Sequence, residues 1–246
     1  MSTAPTQSWS IIILCYNEEG SIKKVIEDAL NTLKVISING GQIVVVNDGS
    51  NDNSHKIIVE ITKKNGNITY INHLNNKGIG KSLHAGYQNA VEENVIMIPG
   101  DDQFNLEELI PYKNFKNNSF LSFYRVDNQA YSKSRKWLSA FNRFLNRFTI
   151  GLRLKDVNWV KAYKNESLKK LNLKIESSLV ESEICSKLVY ICNLPIEIQS
   201  TYHPRLSGNS QGASYKIIKQ ALLETPKLIL VCLWFKVTHR SKIDQP

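Results

Sequence analysis

Long apolar runs are missing from this sequence. None approaches the ~20 residues that a membrane-spanning helix requires, so no spanning helix is expected. Met1 to Ser8 has neither the basic nor the apolar region of a secretory leader, which points to a cytosolic chain. Cysteine is scarce: Cys15, Cys185, Cys192 and Cys232 are the only four, and no two form a C-x-x-C pair. That spacing argues for reduced core thiols over zinc ligands or disulfides. Repeats and low-complexity tracts are absent. Acidic residues are also short, 22 against 31 Lys and Arg, for a net charge of +9. The deficit is local. Between residues 125 and 155 stand Arg125, Lys133, Arg135, Lys136, Arg143, Arg147, Arg153 and Lys155, against the single acid Asp127. Such a patch suits an anionic partner: nucleic acid, a phosphorylated substrate or an anionic membrane surface. Without a nucleic-acid motif, nucleic acid is not expected.

What is present is a chain of 246 residues with an ordinary apolar fraction of 42%, enough for a sizeable core. Apolar, β-branched runs at 9–16, 42–47, 67–72 and 94–98 alternate with helix-period stretches at 21–35, 53–64 and 81–91. This β-α-β-α-β-α-β order predicts an α/β fold with a mostly parallel sheet covered on both faces. Ligands bind such sheets at the carboxyl ends of the strands. Further along, strands are expected at 119–124 and 157–163 and helices at 133–150 and 179–192. The last forty residues read as helical segments broken at Pro226. The expected division is a main domain, 1–213, and a helical appendage, 214–246.

The polar loops at the strand ends carry the suggestive residues. "CYNEE" (15–19) puts Glu18 and Glu19 at a helix start, where carboxylates are favourable, or where they could bind a base or ribose. "VNDGSNDNS" (46–54) contains the turn Asp48-Gly49-Ser50. "NNKGIGKS" (75–82) sets Gly78 and Gly80 beside Lys77 and Lys81 at the start of a helix, which makes a plausible diphosphate cradle. "IPGDDQF" (98–104) ends the fourth strand with Asp101, Asp102 and Gln103. Oxygen ligands of this kind suit magnesium or manganese held against a diphosphate; the bland reading is a turn and helix cap. In a parallel sheet all four loops lie along one edge, in the order that a nucleotide-sugar site would need.

These motifs jointly resemble glycosyltransferase family 2, inverting enzymes of the GT-A fold, over roughly residues 9–210. "CYNEEGSI", "VVVNDGSNDNS" and "NNKGIGKSLHAG" look like its first three motifs. "IPGDDQF" stands where the family carries D-x-D followed by Gln, with Pro99 replacing the first aspartate. The closer resemblance is to the branch of dolichyl-phosphate mannosyltransferases and bacterial polyprenyl-phosphate glycosyltransferases. It rests on "FYR" (123–125), "RKWLSAFN" (135–142), "DVNWVKAY" (156–163), "LVESEI" (179–184) and "TYHPRLSGNS" (201–210).

The resemblance implies a nucleoside-diphosphate sugar bound by Tyr16, Asn17, Glu18, Asp48, Gly49, Ser50, Asn76, Gly78, Gly80, Lys81 and Arg205. It implies Mg2+ or Mn2+ on Asp101 and Gln103, with Asp102 secondary and Asp101 also counted as catalytic. A hydroxyl acceptor would need a carboxylate base, for which Glu181 and Glu183 are the candidates. A polyprenyl phosphate is already anionic; it would need cations instead, expected from Arg125 and Arg135, with Ser139 and Asn142 beside them. Trp137, Phe141, Phe144 and Phe148, spaced +4, +3 and +4, form one helical stripe with Arg143 and Arg147 off it, a pattern that fits an interfacial helix or a core-packed one. "LILVCLWF" (228–235), followed by Lys236, His239, Arg240 and Lys242, reads as a second interfacial anchor. The expected location is peripheral, at the cytoplasmic face of a membrane. A family 2 enzyme acting on a saccharide hydroxyl and a non-catalytic nucleotide-sugar binder, the latter motivated by Pro99, stand as alternatives.

Overall fold

The computed structural model describes residues 4–126, 146, 147, 149–205 and 215–243. Seven strands form one sheet in the order β3-β2-β1-β4-β6-β5-β7. The first four are β1 (Trp9–Cys15), β2 (Gln42–Asn47), β3 (Ile68–Asn72) and β4 (Asn94–Pro99). They are mutually parallel, with β1 between β2 and β4. The crossovers are the helices α1 (Ile22–Ile36), α2 (Ser54–Thr62) and α3 (Ile79–Asn89).

In β1, Ile11, Ile12 and Ile13 are all fully buried. Ile11 and Ile13 join the core beneath α1, and Ile12 joins the opposite core with Leu83 and Tyr87 of α3. Side chains alternate between faces along a strand, so an unbroken apolar run marks burial on both sides.

The second half of the chain departs from the simple alternation. β5 (Ser119–Arg125) and β6 (Lys161–Lys164) pair antiparallel, and β6 also runs antiparallel to β4. The strand expected at 157–163 therefore begins later, at Lys161. β7 (Leu194–Ser200), which the sequence pattern did not reveal, adds parallel to β5 at the sheet edge. Pro195 obscures it, and an edge is where a strand tolerates proline. Two helices, α4 (Asn165–Lys169) and α5 (Val180–Tyr190), separate β6 from β7.

The C-terminal segment is one continuous helix, α6 (Tyr215–Ile243), with Pro226 inside it rather than at a break. Leu222 and Pro226 lie on its exposed side, where water can take the carbonyl that proline leaves without a donor. The other side buries Leu228, Cys232 and Phe235 in the same core as Val180, Ile184 and Leu188 of α5. No helix among the described residues is long and apolar enough to cross a membrane. All four cysteines are free; Cys15, Cys185 and Cys232 are buried as expected, but Cys192 is exposed just after α5. The expected aromatic stripe Trp137, Phe141, Phe144 and Phe148 lies outside the described residues.

Candidate active site

The loops after β1 and β2 are stitched together. Asn17 sits in a left-handed conformation at φ 57°. Its backbone N–H donates to Ser50 Oγ at 2.9 Å, and its Oδ1 accepts from the Asn51 N–H at 2.8 Å. The Glu18 N–H donates to Ser54 Oγ, and Glu19 accepts from the backbone and side chain of Asn53. Glu19 is thus a brace between loops. Tyr16 is half-buried beside them, and Asn76 is exposed.

Asp48 is buried, and its carboxylate anchors the glycine loop. Oδ1 accepts from His73 Nδ1 at 2.8 Å and the Lys77 N–H at 2.9 Å; Oδ2 accepts from the Gly78 N–H at 2.9 Å. Gly49, at φ 72°, lies so close to Asn75 and Asn76 that a Cβ would fall 2.5 Å from the Asn75 carbonyl carbon. Gly80 is required for a different contact: a Cβ there would sit 2.0 Å from the Glu176 carbonyl oxygen. Its small size therefore admits the 176–177 segment. Lys77 and Lys81 line a cavity of about 280 Å³ with His73, His84 and Gln88, and Lys81 pairs with Glu176 at 3.2 Å.

After β4, the Gly100 N–H donates to Leu14 O at 2.8 Å, drawing the 101–103 turn against the end of β1. Asp101 and Asp102 then part. Asp102 takes φ 62° and its carboxylate meets Lys24 Nζ at 2.8 Å. Asp102, expected as an auxiliary metal ligand, thus turns its side chain onto α1. Asp101 turns inward and is 4% exposed. Its Oδ1 accepts from the Gln103 N–H at 3.3 Å, and its Oδ2 lies 2.7 Å from Arg205 Nη2. Arg205 Nη1 lies 3.2 Å from Glu18 Oε1. Two buried carboxylates from two strand ends thus converge on one cation. Burial raises the Glu18 pKa to about 7, against the opposing pull of Arg205. Asp101 is raised too, by burial, with Arg205 again opposing.

Gln103 is joined to the segment that delivers Arg205. Its Nε2 donates to the Tyr202 hydroxyl at 2.5 Å, and its carbonyl accepts from the His203 N–H at 3.2 Å. Its side-chain oxygen takes no part in these bonds. Divalent-ion chemistry fits this neighbourhood. Asp101 and Gln103 supply hard oxygen atoms, Glu18 Oε2 is buried without a hydrogen-bond partner, and a guanidinium already stands where positive charge is needed. Among the described residues no group of three or more His, Cys, Asp or Glu could hold a metal, so a bound ion would draw further ligands from phosphate and water. Pro99 ends β4 opposite Leu14 and offers no side-chain ligand.

Glu181 and Glu183, considered as bases for a hydroxyl acceptor, are not brought to this cluster; both are inside the protein. Glu183 is fully buried and accepts from the Lys174 and Ile175 N–H groups and, at 2.5 Å, from Lys187 Nζ. Glu181 is bound by the hydroxyls of Tyr87 and Tyr163. Burial raises its pKa and those of both tyrosines. An acid-x-acid pattern at a helix start does not distinguish such internal anchors from exposed bases.

Arg125, at the end of β5, is half-buried. It pairs with Asp156 through Nε at 2.8 Å and Nη2 at 3.3 Å, and its guanidinium lies 4.5 Å above the Trp159 ring and 5.8 Å from that of Tyr202. Arg135, Ser139 and Asn142 lie outside the described residues. Sequence reasoning missed His73, Asp156, Trp159 and Tyr202. Asp156 and Trp159 lie in the stretch 156–163 and Tyr202 in 201–210, but neither stretch says which of its residues reach Arg125 or Gln103, and His73 carries no local signal.

Comparison with known proteins bears on this geometry. Residues 10–171 match glycosyl transferase family 2. A dolichyl-phosphate beta-glucosyltransferase of Trichomonas vaginalis, ALG5D, is 32% identical over 118 residues, which span 44% of this chain and 36% of that protein. The poly-beta-1,6-N-acetyl-D-glucosamine synthase of Staphylococcus aureus is 28% identical over 112 residues, 44% of this chain and 26% of the synthase. The matched region therefore spans about a third or less of these relatives' lengths. Among solved structures, glucosyl-3-phosphoglycerate synthase of Mycobacterium tuberculosis, in complex with Mn2+, UDP-glucose and phosphoglyceric acid, superposes with a TM-score of 0.62. It is 14% identical, over 92% of this chain and 80% of its own. The mannosyltransferase PcManGT of Pyrobaculum calidifontis, bound to GDP-mannose and Mn2+, gives 0.59 at 14% identity, over 97% and 77%. These likenesses bear out the GT-A fold expected from the motifs. With the match covering most of the parallel half of the sheet and the loops at its carboxyl edge, the chain belongs to glycosyl transferase family 2.

Proposed function

We propose that this chain is an inverting, metal-dependent glycosyltransferase that moves a sugar from a nucleoside-diphosphate sugar to a polyprenyl phosphate at a membrane surface. The observation that carries the reading is the convergence of Glu18 and Asp101 on one cation at the carboxyl edge of the parallel strands. A divalent ion held there by Asp101 and Gln103 would offset charge on the diphosphate leaving group. The loop whose Lys77 and Gly78 N–H groups are held by Asp48 carries the exposed Lys77 at the start of α3, on the donor side.

The acceptor assignment draws on two observations. The carboxylates considered as bases, Glu181 and Glu183, are spent on internal hydrogen bonds, and a phosphate acceptor needs no base. Arg125, fixed by Asp156 and Trp159, is a rigid planar cation suited to phosphate oxygens. Membrane contact is supported by the outer face of α6, where Leu222, Leu223, Leu230, Leu233, Trp234 and Val237 are exposed together with Lys219 and Lys227.

The test supplies Mn2+, polyprenyl phosphate and a panel of sugar nucleotides and measures nucleoside diphosphate released. Release that needs both the lipid phosphate and the ion is expected; none with any donor refutes the reading. For the membrane, wild type should co-sediment with anionic vesicles and Trp234→Glu combined with Leu230→Glu should not. Equal sedimentation removes α6 from that role.

A further inference from the structure

Two carboxylates buried near one another are expensive unless a cation compensates them. Glu18 is 6% exposed and Asp101 4%. The cation present is Arg205, which reaches both. Its position is built into the chain. The Thr201 N–H donates to Glu108 Oε1 at 2.9 Å, the Tyr202 hydroxyl accepts from Gln103, and the His203 N–H donates to the Gln103 carbonyl. Three hydrogen bonds thus tie the 201–203 backbone and ring to the far side of the site, and Arg205 follows two residues later.

We propose that Arg205 is a placeholder cation: it holds the Glu18–Asp101 seat in the donor-free protein, competes with a divalent ion for Asp101, and is drawn off by the donor's diphosphate. The inference rests on the proposed function only for the identity of that diphosphate. Asp101 Oδ1 is engaged by the Gln103 N–H and Oδ2 by Arg205, so an ion approaching Oδ2 meets the guanidinium. The side chain of Arg205 keeps 23% of its surface exposed, whereas those of its two partners keep 7% or less. The arginine can therefore swing toward a ligand while the carboxylates stay in place. A diphosphate offers the planar guanidinium a pair of anionic oxygens, the arrangement it binds best. Once it leaves, two buried carboxylates lack compensation and favour the entry of an ion. Ion and donor then bind with positive coupling, each weakly when alone. Pro99 sharpens the competition, because its side chain offers the ion no second oxygen on this strand.

The experiment measures Mn2+ binding to the whole chain by electron paramagnetic resonance, with no sugar nucleotide or acceptor. Arg205→Gln is expected to bind Mn2+ at least about tenfold more tightly than wild type, and Asp101→Asn added to it should erase the gain. Equal or weaker binding by Arg205→Gln, or a gain that survives Asp101→Asn, overturns the proposal. A second arm uses wild type alone. Phenylglyoxal modification of Arg205, read by mass spectrometry, should rise when Mn2+ is added, because the ion displaces the side chain. Unchanged or reduced modification at saturating Mn2+ overturns it as well. Neither arm involves turnover, so failure here is distinguishable from failure of the glycosyl-transfer reading.

Discussion

The carboxylate of Asp48 lies 2.8 Å from the Nδ1 of His73, and the same carboxylate accepts the backbone N–H groups of Lys77 and Gly78. One aspartate at the end of β2 thereby holds the whole turn that leads into α3. Asp48→Ala strands the buried His73 ring and two part-buried amides, and is expected to cost about 3 kcal/mol in chemical denaturation. The Lys77 and Gly78 amides should exchange hydrogen faster in the variant. Unchanged exchange would mean that the turn holds itself.

Arg125 is positioned by charge on one side and an aromatic face on the other. Lysine cannot reproduce a planar fork that pairs and stacks at once. Arg125→Lys should raise the KM for polyprenyl phosphate about tenfold while leaving the KM of the sugar nucleotide near wild type. The reverse split would put Arg125 on the donor side.

Glu183 and Lys187 form a fully enclosed pair at 2.5 Å. Removing one partner leaves the other charged in the core, which costs about 3–5 kcal/mol. Glu183→Ala should lose stability of that order, and adding Lys187→Met should restore part of it. Should Glu183→Gln keep the wild-type Tm and abolish turnover, the base assignment would be reinstated.

Glu18 gives a pH dependence with a defined sign. Its pKa is about 7 in the folded protein, against an ordinary value of 4.5. The folded state therefore holds more protons than the unfolded state between these values, and this group's contribution to stability is lost as pH rises from about 4.5 through 7. Glu18→Gln should melt with a shallower decline across that window. An identical pH profile for wild type and variant would show that Glu18 titrates as it does unfolded.

The parallel half of the fold was legible because its signals are local. Runs such as Ile11-Ile12-Ile13 and Val44-Val45-Val46 serve cores on both faces, so apolar continuity alone marks them as strands. The loops followed, since the parallel arrangement sends each strand's end to the same edge. β7 and the unbroken α6 were not legible: Pro195 and Pro226 are read locally as breakers, and only the edge position of β7 and the exposed side of α6 make them tolerable. The adjacent acids after β4 show the same limit. Nothing in "GDDQ" says that Asp102 adopts φ 62° and turns to Lys24 while Asp101 turns inward.

Local sequence determined which residues form the four parallel strands, where the polar loops after them fall and which chemistry their side chains carry. Those properties depend on periodicity and residue type within a few positions. Tertiary structure decided which carboxylates are functional candidates and which are internal anchors. It buried Glu181 and Glu183 in hydrogen bonds and brought Arg205 across from a segment more than a hundred residues away to meet Glu18 and Asp101. The physical reason is that a charge's role depends on what compensates it, and the compensating groups lie far off in the chain.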